Sequence, residues 1–233
     1  MVNVTVEKLV QLTGELKNNS PSSEKFRTFI SSPDIARTDL ETWVNECLAK
    51  TGESFEQAFQ DIVNCIGEKL GFKVEYGQYK AGQDMTGYDG KWVSEEASIQ
   101  LVLEIRRADS YQINADQFGQ FMEDFKKKIG RDTEESKKLK VPEIYKRTKE
   151  TYGIVVTAEE EPIELLDNIR KSRYKSNIRI IPVRSLLNVF KMKEEIPLKH
   201  VEVARLLLPM NVINIGEIIH TIESMTGTQA NKE

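Results

Sequence analysis

The amino-acid sequence predicts an α/β protein with a mixed central β-sheet flanked by helices. Three stretches carry that expectation. Residues 99–106 read I-Q-L-V-L-E-I-R. They are mostly apolar on both alternating faces until Glu104, the pattern of a central strand covered on both sides. Residues 54–70 place Phe55, Ala58, Phe59, Ile62, Cys65, Ile66 and Leu70 on one broad stripe at helical spacing. Residues 152–157 (Y-G-I-V-V-T) and 178–183 (I-R-I-I-P-V) are strand-like runs. A helical stretch and short loops join them, which implies a parallel pair.

The remaining elements follow in order. Val6, Leu9, Val10 and Leu12 recur at helical spacing within residues 4–17. The polar stretch N-N-S-P-S-S, residues 18–23, reads as a break, and Asp39 reads as the N-cap of a helix reaching Ala49. Ser54 opens the helix of the broad stripe, Gly71 stops it, and residues 72–79 read as a strand. Gly77, Gly82, Gly87 and Gly90 punctuate the turns around a further strand, residues 88–93, and residues 94–98 turn the chain into 99–106. Asn114 is suited to cap a helix with Phe118, Phe121, Met122 and Phe125 on its apolar side. Pro162 suits the first turn of another helix, and Ser185 starts one behind residues 178–183. Residues 197–225 carry two more apolar helices, and residues 226–233 read as a disordered tail. The chain thus divides into a helical N-terminal segment (1–50), a core domain (51–195) and a C-terminal helical segment (196–233).

Composition sets limits on function. With 39% hydrophobic and 30% charged residues, the chain has the makeup of a soluble globular protein. No apolar run reaches transmembrane length, and the N-terminus lacks the apolar core of a signal peptide, so the expected location is cytoplasmic. Cys47, Cys65, His200 and His220 show no zinc-ligand spacing; the cysteines read as buried thiols and the histidines as packing residues. The formal net charge of −4 hides an uneven distribution. Residues 126–149 carry ten Lys/Arg against four Asp/Glu, and residues 170–191 carry seven Lys/Arg and no acid. Two basic segments on an otherwise acidic chain suit a polyanionic partner, or are solvated helical faces.

On strand 99–106, Glu104 and Arg106 share one face while Leu101, Leu103 and Ile105 take the other. A carboxylate ending a buried strand needs a partner or a cation. A second carboxylate, Asp89, lies upstream on the expected neighbouring strand.

The sequences G-Y-D-G-K-W (87–92) and L-E-I-R-R-A-D-S-Y-Q-I (103–113) resemble one branch of the PD-(D/E)xK restriction-type endonucleases. That branch tends to read G-x-D-G-x-W, a short turn, and V-E-V-K-T-x-D-A-Y-R-I. The segment from S-F-E-Q-A-F (54–59) through L-G-F-K-V (70–74) is similar to the family's first helix and strand. The resemblance covers roughly residues 54 to 190 and implies a restriction-endonuclease-like αβββαβ core. It implies that Asp89 and Glu104 are metal carboxylates, that the Ile105 carbonyl is a further ligand, and that the ion is Mg²⁺ or Mn²⁺. Glu56 stands where many relatives place another acid. The implied activity is metal-dependent endonucleolytic cleavage of DNA, in defence against foreign DNA. A homodimer follows by analogy, since many relatives pair two copies to cut two strands.

Arg106 stands where the family has Lys. It keeps the positive charge and can grip a phosphate with two donors, but it does not readily release a proton. Three readings follow: an active enzyme with Arg106 as an electrostatic clamp, an active enzyme with other assignments, or a catalytically inactive nuclease fold that binds nucleic acid or a partner protein. Each residue also has a plainer role. Asp89–Gly90 is an ordinary turn dipeptide. Glu104 with Arg106 reads as a structural ion pair, and Glu56 as a surface residue. Asp84 is an alternative ligand to Asp89, and Asp109 and Tyr111 suit structural roles after the strand. Attraction for nucleic acid would come from Lys126, Lys127 and Lys128 in one basic segment and from Arg173 and Lys175 in the other.

Overall fold

A computed structural model describes residues 4–79, 88–107, 115–124, 149–158 and 162–208. It shows a five-stranded open sheet in the order β1-β2-β3-β4-β5, made of Lys73–Tyr76, Gly90–Ser94, Ile99–Arg106, Glu150–Thr157 and Ile178–Pro182. β1, β2 and β3 pair antiparallel, whereas β3, β4 and β5 pair parallel, so the sheet is mixed as expected. The helices are α1 (Val6–Thr13), α2 (Pro21–Ile30), α3 (Arg37–Ala49), α4 (Glu53–Lys69), α5 (115–124), α6 (Ile163–Lys171), α7 (Val183–Glu195) and α8 (His200–Leu206).

Helices cover both sheet faces. One buried cluster runs from Val6 on α1 to Leu207 after α8 and includes Trp92, Leu101, Leu103 and Ile105. It joins α1–α4, α7 and α8 to one face and takes in residues from all three stretches into which the sequence was divided. A smaller cluster on the other face joins Val102, Val155 and Ile178 to Phe118 and Met122 of α5, Ile169 of α6, and Tyr174. β3 is buried on both faces through Leu103 and then alternates, with Glu104 and Arg106 partly exposed. This is the burial pattern its sequence predicts.

Local differences have local causes. The stretch read as a break contains the start of α2: Ser20 caps it by accepting from the Ser23 amide at 3.2 Å, and Pro21 takes the first turn. Asp39 is not the N-cap of α3. It lies in the first turn, and its carboxylate accepts from the Ala36 amide at 3.0 Å. Ser54 likewise lies inside α4, which begins at Glu53. β1 is shorter than residues 72–79, and β2 begins one residue after Asp89. His200 does more than pack: its Nδ1 lies 3.1 Å from the Leu70 carbonyl and its Nε2 lies 2.9 Å from the Ser94 hydroxyl. The expectations for Asp84, Asp109, Tyr111, Lys126, Lys127, Lys128, His220, the cap at Asn114, the second helix of residues 197–225 and the tail concern residues outside the described ones. Among the described residues no helix is long and apolar enough to cross a membrane.

Candidate active site

The antiparallel register of β2 and β3 builds the site. Gly90 pairs with Leu103, so Asp89, one step earlier, comes opposite Glu104 on the face away from α4. The Asp89 amide donates to the Leu103 carbonyl at 2.9 Å. Its carboxylate Oδ2 accepts from the Ile105 amide at 2.6 Å and from Arg106 Nη1 at 3.2 Å. Arg106 Nη1 also donates to the Ile105 carbonyl at 3.1 Å, and Nη2 pairs with Glu104 Oε1. The three oxygen groups assigned to a metal, those of Asp89, Glu104 and Ile105, therefore converge on one guanidinium.

The Asp89 carboxyl is pushed up to about 6 by burial, against the lowering pull of Arg106 and the Ile105 amide. The side chains of Asp89 and Glu104 are 11% and 13% exposed, and that of Arg106 is 29% exposed. The cation is thus the member of the group most open to solvent.

A second set of contacts, on the α4 side, holds the Asp89 backbone. Its carbonyl accepts from Asn64 Nδ2 at 2.8 Å, Gln60 Nε2 at 3.0 Å and the Gly77 amide at 3.1 Å. Asn64 Oδ1 accepts from the Trp92 indole at 3.0 Å. A Cβ on Gly90 would lie 2.0 Å from Asn64 Oδ1, so only glycine admits this approach. Gln60 and Asn64 are buried polar residues one turn apart on α4. The sequence reading overlooked them. Their signal was polar side chains at spacing i, i+4 inside an apolar helix, which demands a buried polar partner.

The other assigned residues lie elsewhere. Glu56 pairs with Arg107 Nη2 at 3.3 Å, and Arg107 also donates to the Cys47 and Lys50 carbonyls at the end of α3. That places Glu56 with Arg107, not with the pair of carboxylates. Arg173 and Lys175 are exposed in the turn before β5. Ile178 is level with Gly153 and Val102, whereas Arg106 is level with Thr157 and Pro182, so this turn lies at the opposite strand ends from Arg106. Arg173 stacks over the Tyr174 ring at 4.7 Å and donates to Gln120 of α5 at 2.8 Å.

Among the described residues no three His, Cys, Asp or Glu side chains form a ligand cluster. Two carboxylates and a backbone carbonyl are nevertheless a hard-oxygen set, and the cation they already surround shows that positive charge fits there. Asp89, Glu104 and Ile105 are the residues that would hold Mg²⁺ or Mn²⁺. The chain matches no protein-family model, no curated protein and no solved structure.

Proposed function

We propose that this protein is a divalent-metal-dependent endonuclease that hydrolyses DNA phosphodiester bonds and acts in defence against foreign DNA. The observation that supports the reading is the convergence of Asp89 Oδ2, Glu104 Oε1 and the Ile105 carbonyl on one cation. Bound there, Mg²⁺ or Mn²⁺ would lower the pKa of a coordinated water and offset charge growing on the phosphate. The chain's own residues supply position. The Ile105 amide fixes the Asp89 carboxylate, and Gln60 and Asn64 fix its backbone. Arg106 can grip a phosphate oxygen pair through two donors, and a guanidinium does not readily release a proton, so its role is electrostatic. Purified protein should cut duplex or single-stranded DNA with Mg²⁺ or Mn²⁺, and EDTA or Glu104→Ala should abolish cutting. Cleavage that survives both would overturn the assignment.

One observation favours a second reading. Arg106 touches all three oxygen groups, as a built-in counter-cation would in a catalytically inactive nuclease-fold subunit that binds nucleic acid or a partner protein. Arg106→Lys separates the two. Wild type inert across metals, with cutting gained by Arg106→Lys, indicates a silenced nuclease. Inert forms of both, with a partner protein that co-purifies, indicate an interaction subunit.

A further inference from the structure

The position of Arg106 bears on the order in which ligands enter the site. A guanidinium and a divalent ion cannot share the same three oxygens. Arg106 engages one oxygen of each carboxylate and the Ile105 carbonyl, so it must leave Asp89 Oδ2, Glu104 Oε1 and that carbonyl before a metal takes those same atoms. A guanidinium displaced with no new anion would stand beside a dication in a partly buried site, where like charges repel strongly. A phosphodiester removes that obstacle. It offers paired oxygens of the geometry a guanidinium prefers, and Arg106 is the most exposed member of the group.

We infer that Arg106 is an exchangeable internal cation that couples divalent-metal binding to phosphodiester binding. Without nucleic acid the guanidinium closes the carboxylate pair. With nucleic acid it moves onto a backbone phosphate and frees the pair for metal. The inference rests on the metal-site reading given above. It adds a binding order: metal enters tightly only after, or together with, the phosphodiester. Coupling between two ligands is reciprocal, so metal must tighten nucleic-acid binding by the same factor.

The test counts free Mn²⁺ by electron paramagnetic resonance during titration. The samples are wild type alone, wild type with a short phosphorothioate duplex, Glu104→Ala with the same duplex to subtract Mn²⁺ held by DNA, and Arg106→Met alone and with duplex. The expected result is that the duplex tightens Mn²⁺ binding to wild type about tenfold, within the usual range of coupling between sites. Arg106→Met should bind Mn²⁺ tightly without duplex and gain less than about twofold from it. Fluorescence anisotropy should show Mn²⁺ tightening duplex binding to wild type by the same factor.

Equal Mn²⁺ affinity of wild type with and without duplex overturns the exchange, and the two wild-type titrations decide this even where Arg106→Met does not fold. If wild type alone binds Mn²⁺ tightly and cuts DNA, the metal-nuclease reading stands and only the exchange fails. If no form binds Mn²⁺ under any condition, both fail.

Discussion

Among the described residues, the buried Asp61 and Asp89 are each paired with an arginine, and their differences separate an ion pair held by packing from one shared with a second carboxylate. Asp61 on α4 is fully buried. Its Oδ2 accepts from Arg27 Nε at 2.9 Å and from the Tyr79 hydroxyl at 2.5 Å. Arg27 lies over the rings of Tyr76 and Tyr79, at 4.7 and 5.1 Å from their centroids. Asp89 sits two strands into the sheet and shares its arginine with a second carboxylate, Glu104. Burial pushes both aspartates up to about 6, and in each case the arginine opposes it. Desolvation alone therefore does not mark a site. In the Asp61 group one acid meets one cation capped by two aromatic rings, so the arginine is held by packing as well as charge. In the Asp89 group two acids compete for one cation at a partly exposed strand end. That arrangement leaves room for exchange.

Replacing one member of each group should separate their roles, and the largest effect is expected at Glu104. Glu104→Ala should lower metal-dependent cleavage by more than about a hundredfold, since even outer partners of metal ligands are worth 10–100-fold. Thermal denaturation should show little change, because Arg106 keeps Asp89 as a partner. Asn64→Leu acts one step back from the proposed metal site. Loss of its bond to the Asp89 carbonyl should weaken Mn²⁺ binding by about tenfold or more. An isotherm unchanged by this substitution would make Asn64 a packing residue only.

The Asp61 group should respond in stability and not in cutting. Arg27→Met leaves a buried carboxylate without its cation and should cost roughly 1–3 kcal/mol in urea denaturation, with cleavage per folded molecule unchanged. Its pH dependence sharpens the contrast. Burial raises the folded-state pKa of Asp61 to about 6, while Arg27 and Tyr79 lower it and the charge of Glu68 raises it. The unfolded value is near 3.9, so the folded chain binds the extra proton between about pH 4 and 6. This contribution to stability is full below about pH 4 and is lost as pH rises through about 6. Asp61→Asn removes it, so the variant's stability relative to wild type should rise between those limits. A difference that stays flat with pH would place the Asp61 pKa at its ordinary value.

The smallest effect is expected from the basic turn before β5. Arg173 already serves Tyr174 and Gln120, and the turn lies at the opposite strand ends from Arg106. Charge reversal at Arg173 and Lys175 should change the salt slope of DNA binding by less than about one phosphate contact, near 0.9 in slope. Reversal at Lys126, Lys127 and Lys128 should flatten it more, and about equally for every DNA sequence, because phosphate contacts position and do not specify. Equal, large losses in both variants would mean that nucleic acid also contacts the turn before β5.

Some of this architecture was legible in the chain alone. The run at 99–106 named the central strand, because a segment buried on both faces is mostly apolar until it reaches an edge. The stripe on α4 and the strand-like runs at 152–157 and 178–183 were equally readable, since helical and strand periodicity are local. The start of α2 was also written locally, in Ser20 and Pro21, but its polar residues read more strongly as a break. The pairing of Asp89 with Glu104 is of another kind. It depends on strand register, which sets which side chains stand opposite one another and which no single segment encodes. The same register brings Arg106 between the two acids and places Asn64 and Gln60 against the Asp89 carbonyl. The sequence by itself named two carboxylates and a cation and could read them as metal ligands, a turn residue or an ion pair. Only the tertiary structure gathered them around one point, because the packing of α4 onto the sheet fixes where β2 lies against β3.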